Sequence, residues 1–544
     1  MSQILRAAGL MGLATFISRI CGLVREQVFA YLFGAGVATD AFNIAFRIPN
    51  LLRDLFAEGA MSSAFIPTFV RVRSERGERD AWRVAGLVFR VLGWGVSIIT
   101  VIGIVSAPWL VNLYASAFHA VPGKFELTVK LTRQIFPYFP LVALSAAFMG
   151  VLNACQAFFI PAFSSALFNI VSILVGVALT WVMPKFGRHP IEGMAIGVVA
   201  GGIAQAFSQL PLLYKKGYFW PKREIKDPDW HQDPDLRRML ILLVPGTLGL
   251  AATQINILVN SMLATSAGTG AVSWLNYAFR LMQFPIGVFG VSFATATLPL
   301  FSRHWVGRDY GQAVSSVRES LRQVIAINLP ASAGLAFLSV PIIAMIFQHG
   351  RFSALDTQST ARALVAYSIG LTAYSAVKVL APVFYAMENT KIPVISSALS
   401  VFLNLGLNLL MVKRFGFWGL ALGTSITAVL NGLFLLIAFE RMMAPRTEHR
   451  LGLLKLSRFT FGVLLISCVM GSAVLFLYRQ MELFLPNSLS NHLLSRVILT
   501  FSVVVFGALL IVWAGKLFKI PEMSTPVETL FRKALKKLGW EISK

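Results

Sequence analysis

Charge is scarce in this sequence. Of its 544 residues only 13% are Asp, Glu, Lys or Arg, while 56% are hydrophobic, against roughly 25% charged in a soluble domain. The mean hydropathy is +0.71. Together these exclude a chain that is wetted on all sides. Cysteine is scarcer still. Cys21, Cys155 and Cys468 each lie in or beside an apolar stretch and show no metal-ligand spacing, so neither a disulfide framework nor a zinc site is expected. The seven histidines form no His-x-x-x-His pair. There is no Walker loop, no His-Glu-x-x-His and no Gly-x-Ser-x-Gly, so an enzyme is not expected and no cofactor or metal is implied. Gly34-Ala35-Gly36 and Gly268-Thr269-Gly270 are fragments that turn formation explains.

Long apolar runs are abundant. About fourteen reach the ~20 residues that cross a bilayer as a helix, among them Leu87 to Leu110, Phe163 to Val182, Val394 to Met411, Phe459 to Leu477 and Val497 to Leu517. Their length excludes membrane strands, which need only ~10 residues in alternation. The expected fold is therefore an all-α integral membrane protein. Its net charge of +24 would suggest nucleic acid in a soluble chain. Here the Lys and Arg gather in alternate loops, chiefly Arg71 to Arg83, Tyr214 to Arg238 and Arg441 to Arg458. The positive-inside rule then places these loops and both termini in the cytoplasm. No nucleic-acid partner is expected, and the basic tail around Arg532 to Lys537 reads as a helix lying on anionic lipid. The N-terminal run lacks a cleavage site and is followed by Arg19 and Arg25, so it reads as a retained first helix.

The chain repeats itself. Ala41 to Arg47 (AFNIAFR) recurs as Trp274 to Arg280 (WLNYAFR), Ala64 to Arg71 (AFIPTFVR) as Ala296 to Arg303 (ATLPLFSR), and Pro161 to Leu167 (PAFSSAL) as Pro393 to Leu399 (PVISSAL). Gly193, Ala195 and Gly197 are echoed by Gly419, Ala421 and Gly423. Each copy holds six helices, an even number, so the two are parallel repeats, as in transporters that rock one bundle against another. The expected organisation is a first lobe at 1–217, a cytoplasmic linker at 218–237, a second lobe at 238–441, two extra helices at 450–520 and a basic tail at 521–544. One chain holds both lobes, so a monomer suffices.

Charges inside the spans carry most of the functional information. The first two helices hold Arg19, Arg25, Glu26, Asp40, Arg47, Arg53, Asp54 and Glu58; the second copy adds Arg280 and Lys378. One charge at mid-bilayer costs about 2.5–3.5 kcal/mol on insertion scales, so such groups face a cavity or one another. Arg25 with Glu26 and Arg53 with Asp54 are helix neighbours that are not expected to meet directly, although either could pair across helices, which is the alternative to a binding role. The excess of arginine points to a water-filled cavity for an anion, and guanidinium forks suit phosphate or pyrophosphate oxygens. Without an ATP site, the driving force is expected to be the membrane potential or an H+ or Na+ gradient.

At these residues the sequence resembles the MurJ (MviN) family. The matching runs are Ser18-Arg19, Gly22-Leu23-Val24-Arg25-Glu26, Phe33-Gly34-Ala35-Gly36, Thr39-Asp40-Ala41-Phe42, Pro49-Asn50-Leu51-Leu52-Arg53 and Phe56-Ala57-Glu58-Gly59-Ala60. Ser273-Trp274, Tyr277-Ala278, Arg280-Leu281-Met282 and Ala381-Pro382 continue the match. The resemblance implies a flippase for lipid II, the undecaprenyl-pyrophosphate-linked precursor of peptidoglycan, in a bacterial inner membrane. It implies two six-helix lobes, with the two extra helices forming a groove for the lipid tail. Bilayer lipids, and cell-wall synthesis enzymes, would be its other partners.

By the same resemblance, Arg19, Arg25, Arg53 and Arg280 would bind the pyrophosphate, with Asp40, Asn50 and Glu58 as gating or charge partners. Asp40 would gate the outer side or compete for an arginine, and Glu58 would hold an arginine between substrates. Some members of the family bind sodium through carboxylates. The comparable positions here are Asn260, Asn404 and Asn408, which bring no compensating charge. Two other cargoes suit the same plan: another polyprenyl-pyrophosphate-linked oligosaccharide, or drugs moved by a multidrug antiporter. The antiporter calls for an acidic cavity.

Overall fold

The computed structural model describes residues 3–55, 65–218, 233–484 and 493–524, and every regular element among them is helical. The chain divides into two compact units, Met1–Ser273 and Trp274–Lys544. The first holds α1 (Gln3–Phe33), α2 (Val37–Asp54), α3 (Ile66–Arg76), α4 (Glu78–Val105), α5 (Ala107–Ala115), α6 (Lys124–Ile135), α7 (Tyr138–Ala154), α8 (Phe159–Val182), α9 (Ile191–Phe207), α10 (Leu210–Lys215) and α11 (Pro234–Ser266). From α12 (Ala271–Pro285) the second continues with α13 (Val291–Val306), α14 (Tyr310–Phe337), α15 (Ser339–Phe347), α16 (Ala354–Ala386), α17 (Lys391–Phe415), α18 (Phe417–Met443), α19 (Leu453–Phe484) and α20 (Leu493–Leu517).

Several of these helices are segments of one apolar run, restarted by proline. Pro108 and Pro211 stand in the first turns of α5 and α10, and Pro137 caps α7. Proline lacks the N–H that a first turn leaves unused, so it begins a helix and ends the one before. Among the described residues, ten helical segments are long and apolar enough to cross a membrane, or eleven if α14 and α15, bent by 73°, count as one. Length and apolarity therefore establish ten or eleven of the roughly fourteen spans expected. The long helices outside that set are α1, α2 and α11, of 31, 18 and 33 residues. The first two carry the arginines.

The repeated sequence builds the same crossing twice. Pro161 is the third residue of α8 and Pro393 the third of α17. The glycines that follow let the next helix approach backbone to backbone. A Cβ on Gly193 would lie 2.5 Å from Thr180 N, and one on Gly197 2.6 Å from Ser172 O, both on α8. Gly419 presses in the same way on the Met411 backbone of α17, and Gly423 on the Asn408 side chain of the same helix. Small residues at such contacts permit van der Waals packing that hydrophobic exclusion cannot drive in lipid.

Each unit has its own aromatic core. In the first, Trp82, Phe89 and Phe148 surround Tyr218, which lies 5.8 Å from Trp82 and 5.5 Å from Phe89 between ring centroids. Leu236 and Met239 at the start of α11 join the same cluster. In the second, the core runs from Phe301 through Phe384 and Phe439 to Val463 and Val503, so α19 and α20 are part of that unit's packing.

Candidate substrate-binding site and its charged frame

The turn from α1 to α2 is set by Gly34, whose φ of +65° lies where glycine is favoured. Thr39 donates to Gly34 O at 2.8 Å and closes the turn. Along α2, Asp40, Asn43, Arg47, Asn50 and Asp54 recur every three or four residues, which puts them on one polar stripe. That stripe is why α2 fails as a lipid-facing helix and why it suits a polar interior.

Arg25 is buried, with 8% of its surface exposed. Its guanidinium stands over Phe46 and Phe168, 5.7 and 5.5 Å from the ring centroids. Both rings pack on the enclosed Tyr138. Ring faces attract a cation without neutralising it. Glu26 stands 3.4 Å away, at the long end of hydrogen-bond range. Arg53 pairs more tightly with Asp54, at 3.0 Å through Nε and 2.5 Å through Nη2. Both pairings join sequence neighbours, contrary to the expectation that adjacent helical residues cannot meet. Their Cβ atoms do diverge by about 100°, but the long arginine arm swings back along the helix surface. Arg19 is exposed, off the face that carries Arg25. Arg280 and Lys378 belong to the second unit, and both are exposed there. Asn50 encloses its Oδ1 with no hydrogen-bond partner among the described residues. Glu58 lies outside the described residues.

Asp40 is fully enclosed, with 0% exposure. Its Oδ2 accepts from Lys124 Nζ at 2.8 Å and from Gly270 N at 2.7 Å. Its Oδ1 accepts from Ser273 N at 3.0 Å and Ser273 Oγ at 2.7 Å. Asp40 thus caps the helix that begins at Ala271, where unpaired N–H groups carry partial positive charge. Gly268 and Gly270, with φ of +112° and +93°, make the turn that turns those N–H groups toward it. Lys124 is enclosed as well, its Nζ 4.0 Å from the Phe118 ring centroid.

The start of α11 is held by a second set of charges. Asp233 caps it, accepting from Asp235 N and Leu236 N at 3.0 and 3.1 Å, and Pro234 occupies the first turn. Arg83 reaches Asp233 at 3.1 Å. Asp235 accepts from Arg71 at 2.7 Å and from Arg76. The hydrogen bond to Asp235 holds the Arg76 guanidinium above its usual range, against a smaller opposing effect of burial. Ions therefore tie the start of α11 into the first unit, Asp40 holds the turn that follows α11, and the unit boundary falls at Ser273. Lys124, Asp233 and Asp235 went unnoticed in the sequence. Only Asp233-Pro234 left a readable trace, as a helix cap followed by an N-terminal proline.

The asparagines considered for a cation lie in different units. Asn260 on α11 donates to Asn256 at 2.8 Å. On α17, Asn408 donates to Asn404 Oδ1 at 2.9 Å and Asn404 donates to Thr424 at 3.3 Å. The Asn404 oxygen is thus already engaged by an amide. Among the described residues no group of three His, Cys, Asp or Glu side chains could hold a metal ion.

The arginine-bearing α1–α2 block, the doubled helix crossing and the two extra helices can be compared with known proteins. The family model described as lipid II flippase MurJ matches residues 29–495. This chain belongs to the MurJ family. It is 36% identical over 428 residues to the lipid II flippase MurJ of Burkholderia cenocepacia, covering 78% of this chain and 82% of that one. It is 32% identical over 505 residues to the probable lipid II flippase MurJ of Vibrio cholerae, covering 91% and 93%. A solved MurJ structure, in an inward closed conformation, superposes with a TM-score of 0.71 at 26% identity over 92% of this chain and 98% of that one. An inward-facing multidrug MATE transporter of the MOP superfamily superposes with a TM-score of 0.67 at 15% identity over 79% and 95%, which speaks to fold alone. Membership in the MurJ family makes this chain a multi-pass membrane transporter, not an enzyme.

Proposed function

We propose that this chain is a flippase for lipid II in a bacterial cytoplasmic membrane, with both termini and the basic loops on the cytoplasmic side. The observation that carries the reading is Arg25. Its guanidinium is enclosed and stands over two aromatic rings, and pyrophosphate oxygens match the fork that it presents.

In the proposed cycle the pyrophosphate meets Arg19, Arg25 and Arg53 from the first unit and Arg280 from the second. Arg53 would exchange Asp54 for phosphate, and Asn50 would offer its unpartnered carbonyl to a hydroxyl of the headgroup. Asp40 would secure the outer end until substrate arrives, and Glu58 would hold an arginine between turnovers. The polyprenyl tail stays in lipid. The drive is the membrane potential or a proton or sodium gradient, since one charge moved through 100 mV is worth ~2.3 kcal/mol. A monomer is sufficient.

The test is depletion in a peptidoglycan-producing host, with lipid II exposure on the outer face as the readout. Exposure should fall on depletion. Wild type should restore it, and Arg25→Ala at equal membrane level should not. Unchanged exposure on depletion would remove lipid II as the cargo.

A further inference from the structure

Away from the arginines of the first unit, the second unit contains a cavity of about 430 Å³ between α15, α19 and α20. Its floor is apolar, built by Phe337, Leu475 and Leu499; its rim carries Arg479, Glu482 and Arg496. A water takes about 30 Å³, so one or two bridging waters do not account for the space. α14 and α15 bend by 73° at Leu338, so α15 leaves the axis of α14 beside this cavity. It opens beside strongly exposed apolar side chains: Phe484 is 87% exposed and Leu494 70%. Such residues at the ends of two membrane-spanning helices face lipid.

We propose that this cavity binds one phospholipid with an amine-bearing headgroup, of the phosphoethanolamine type, from the leaflet opposite the basic loops. The assignment of leaflet rests on the orientation given under the proposed function. The chemistry follows from the rim. Two guanidiniums on different helices suit a phosphodiester, which carries one negative charge. Arg496 also lies in the first turn of α20, where backbone N–H groups favour the same anion. A carboxylate on that rim would repel a purely anionic headgroup but attracts an ammonium. Glu482 lies three residues from Arg479, on the same face of α19, so the cation and anion of a zwitterionic headgroup each find a partner. The apolar floor takes the start of an acyl chain, since burying apolar surface adds to a site that charge alone would leave weak in water. The α19–α20 pair thereby has a fixed lipid at one end, joining it to α15.

The full-length protein in detergent would be titrated with phosphatidylethanolamine, phosphatidylglycerol, undecaprenyl phosphate and inorganic phosphate, and retained adducts read by native mass spectrometry. Wild type is expected to keep one phosphatidylethanolamine, at an occupancy roughly tenfold above phosphatidylglycerol. Inorganic phosphate should not be retained. Arg479→Ala and Arg496→Ala should each lower that occupancy by about tenfold. Arg479→Lys and Arg496→Lys should keep part of it, showing that the fold survives. Glu482→Gln should erase the preference for the amine. Equal retention of phosphatidylethanolamine by wild type and both alanine variants overturns the site. So does equal retention of the two phospholipids by wild type, or a preference for undecaprenyl phosphate. Adducts that follow the arginines in a chain that fails to expose lipid II would sink the flippase reading and leave this site standing; the reverse pattern sinks this site alone.

Discussion

Asp40 and Lys124 form an ion pair of 2.8 Å in which the side chains are 0% and 1% exposed. Two opposite charges so enclosed are tolerable because each has further polar support: Asp40 also accepts from Gly270 and twice from Ser273, and Lys124 lies on the Phe118 ring. Removing one partner of such a pair strands the other, at a cost of about 3–5 kcal/mol.

Asp40→Asn should therefore lower the melting temperature of the purified protein, and Lys124→Met should do likewise. The double variant should be more stable than either single one, because no unpaired charge is left. A double-mutant cycle by thermal melting measures the coupling. Additive losses would show that the pair is not a unit.

The clasp of Arg71, Arg76 and Arg83 on Asp233 and Asp235 ties the start of α11 to α3 and α4. Asp235→Ala should release that end while Asp40 still holds the turn at Gly270 and Ser273 that follows α11. Hydrogen exchange should accelerate in residues 234–239 and stay unchanged in 268–273. Equal protection of both segments in the variant would mean that the apolar contacts of Leu236 and Met239 hold α11 without the ions.

How much of this was legible in the sequence depends on how far apart the partners lie. The duplication was readable because it repeats residue types at a fixed interval, and the crossings of α8 with α9 and α17 with α18 follow from its glycines. The arginines stood out because charge is costly in an apolar run. Lys124 did not, since a lysine in a polar turn looks solvated until the fold encloses it. Ser273 lies 233 residues beyond Asp40, and no local pattern connects them. Arg25 and Glu26 were misjudged because helical spacing describes Cβ directions, whereas a guanidinium sits several bonds further out.

Gly197 presses on the α8 backbone so closely that a Cβ would lie 2.6 Å from Ser172 O and 2.8 Å from Gly176 Cα. Backbone cannot yield as a side chain does, so Gly197→Val should cost about 1–3 kcal/mol or more. Size-exclusion profiles after mild heating should show early aggregation. Gly406→Ala, at a helical glycine with open space around it, should leave the profile unchanged. Similar profiles for Gly197→Val and wild type would mean that the crossing relaxes.

Burial pushes the Cys155 thiol above its usual value, and Arg73, whose Nη1 lies 3.8 Å from the sulfur, only partly offsets it. A raised pKa means that thiolate forms later, so at pH 8 the group is mostly neutral and a poor nucleophile. With Cys21 and Cys468 replaced by serine, alkylation of the folded protein should still be climbing past pH ~8.5, where an ordinary thiol is half ionised. A plateau reached below that pH would contradict the enclosed thiol.

The most direct test of the central claim is translocation by the protein alone. Full-length chain reconstituted in proteoliposomes with labelled lipid II on one face should move the label to the other, and Arg25→Ala at equal incorporation should abolish most of that movement. Translocation at the wild-type rate by Arg25→Ala would contradict the account, because the enclosed guanidinium is the group on which anion capture is built.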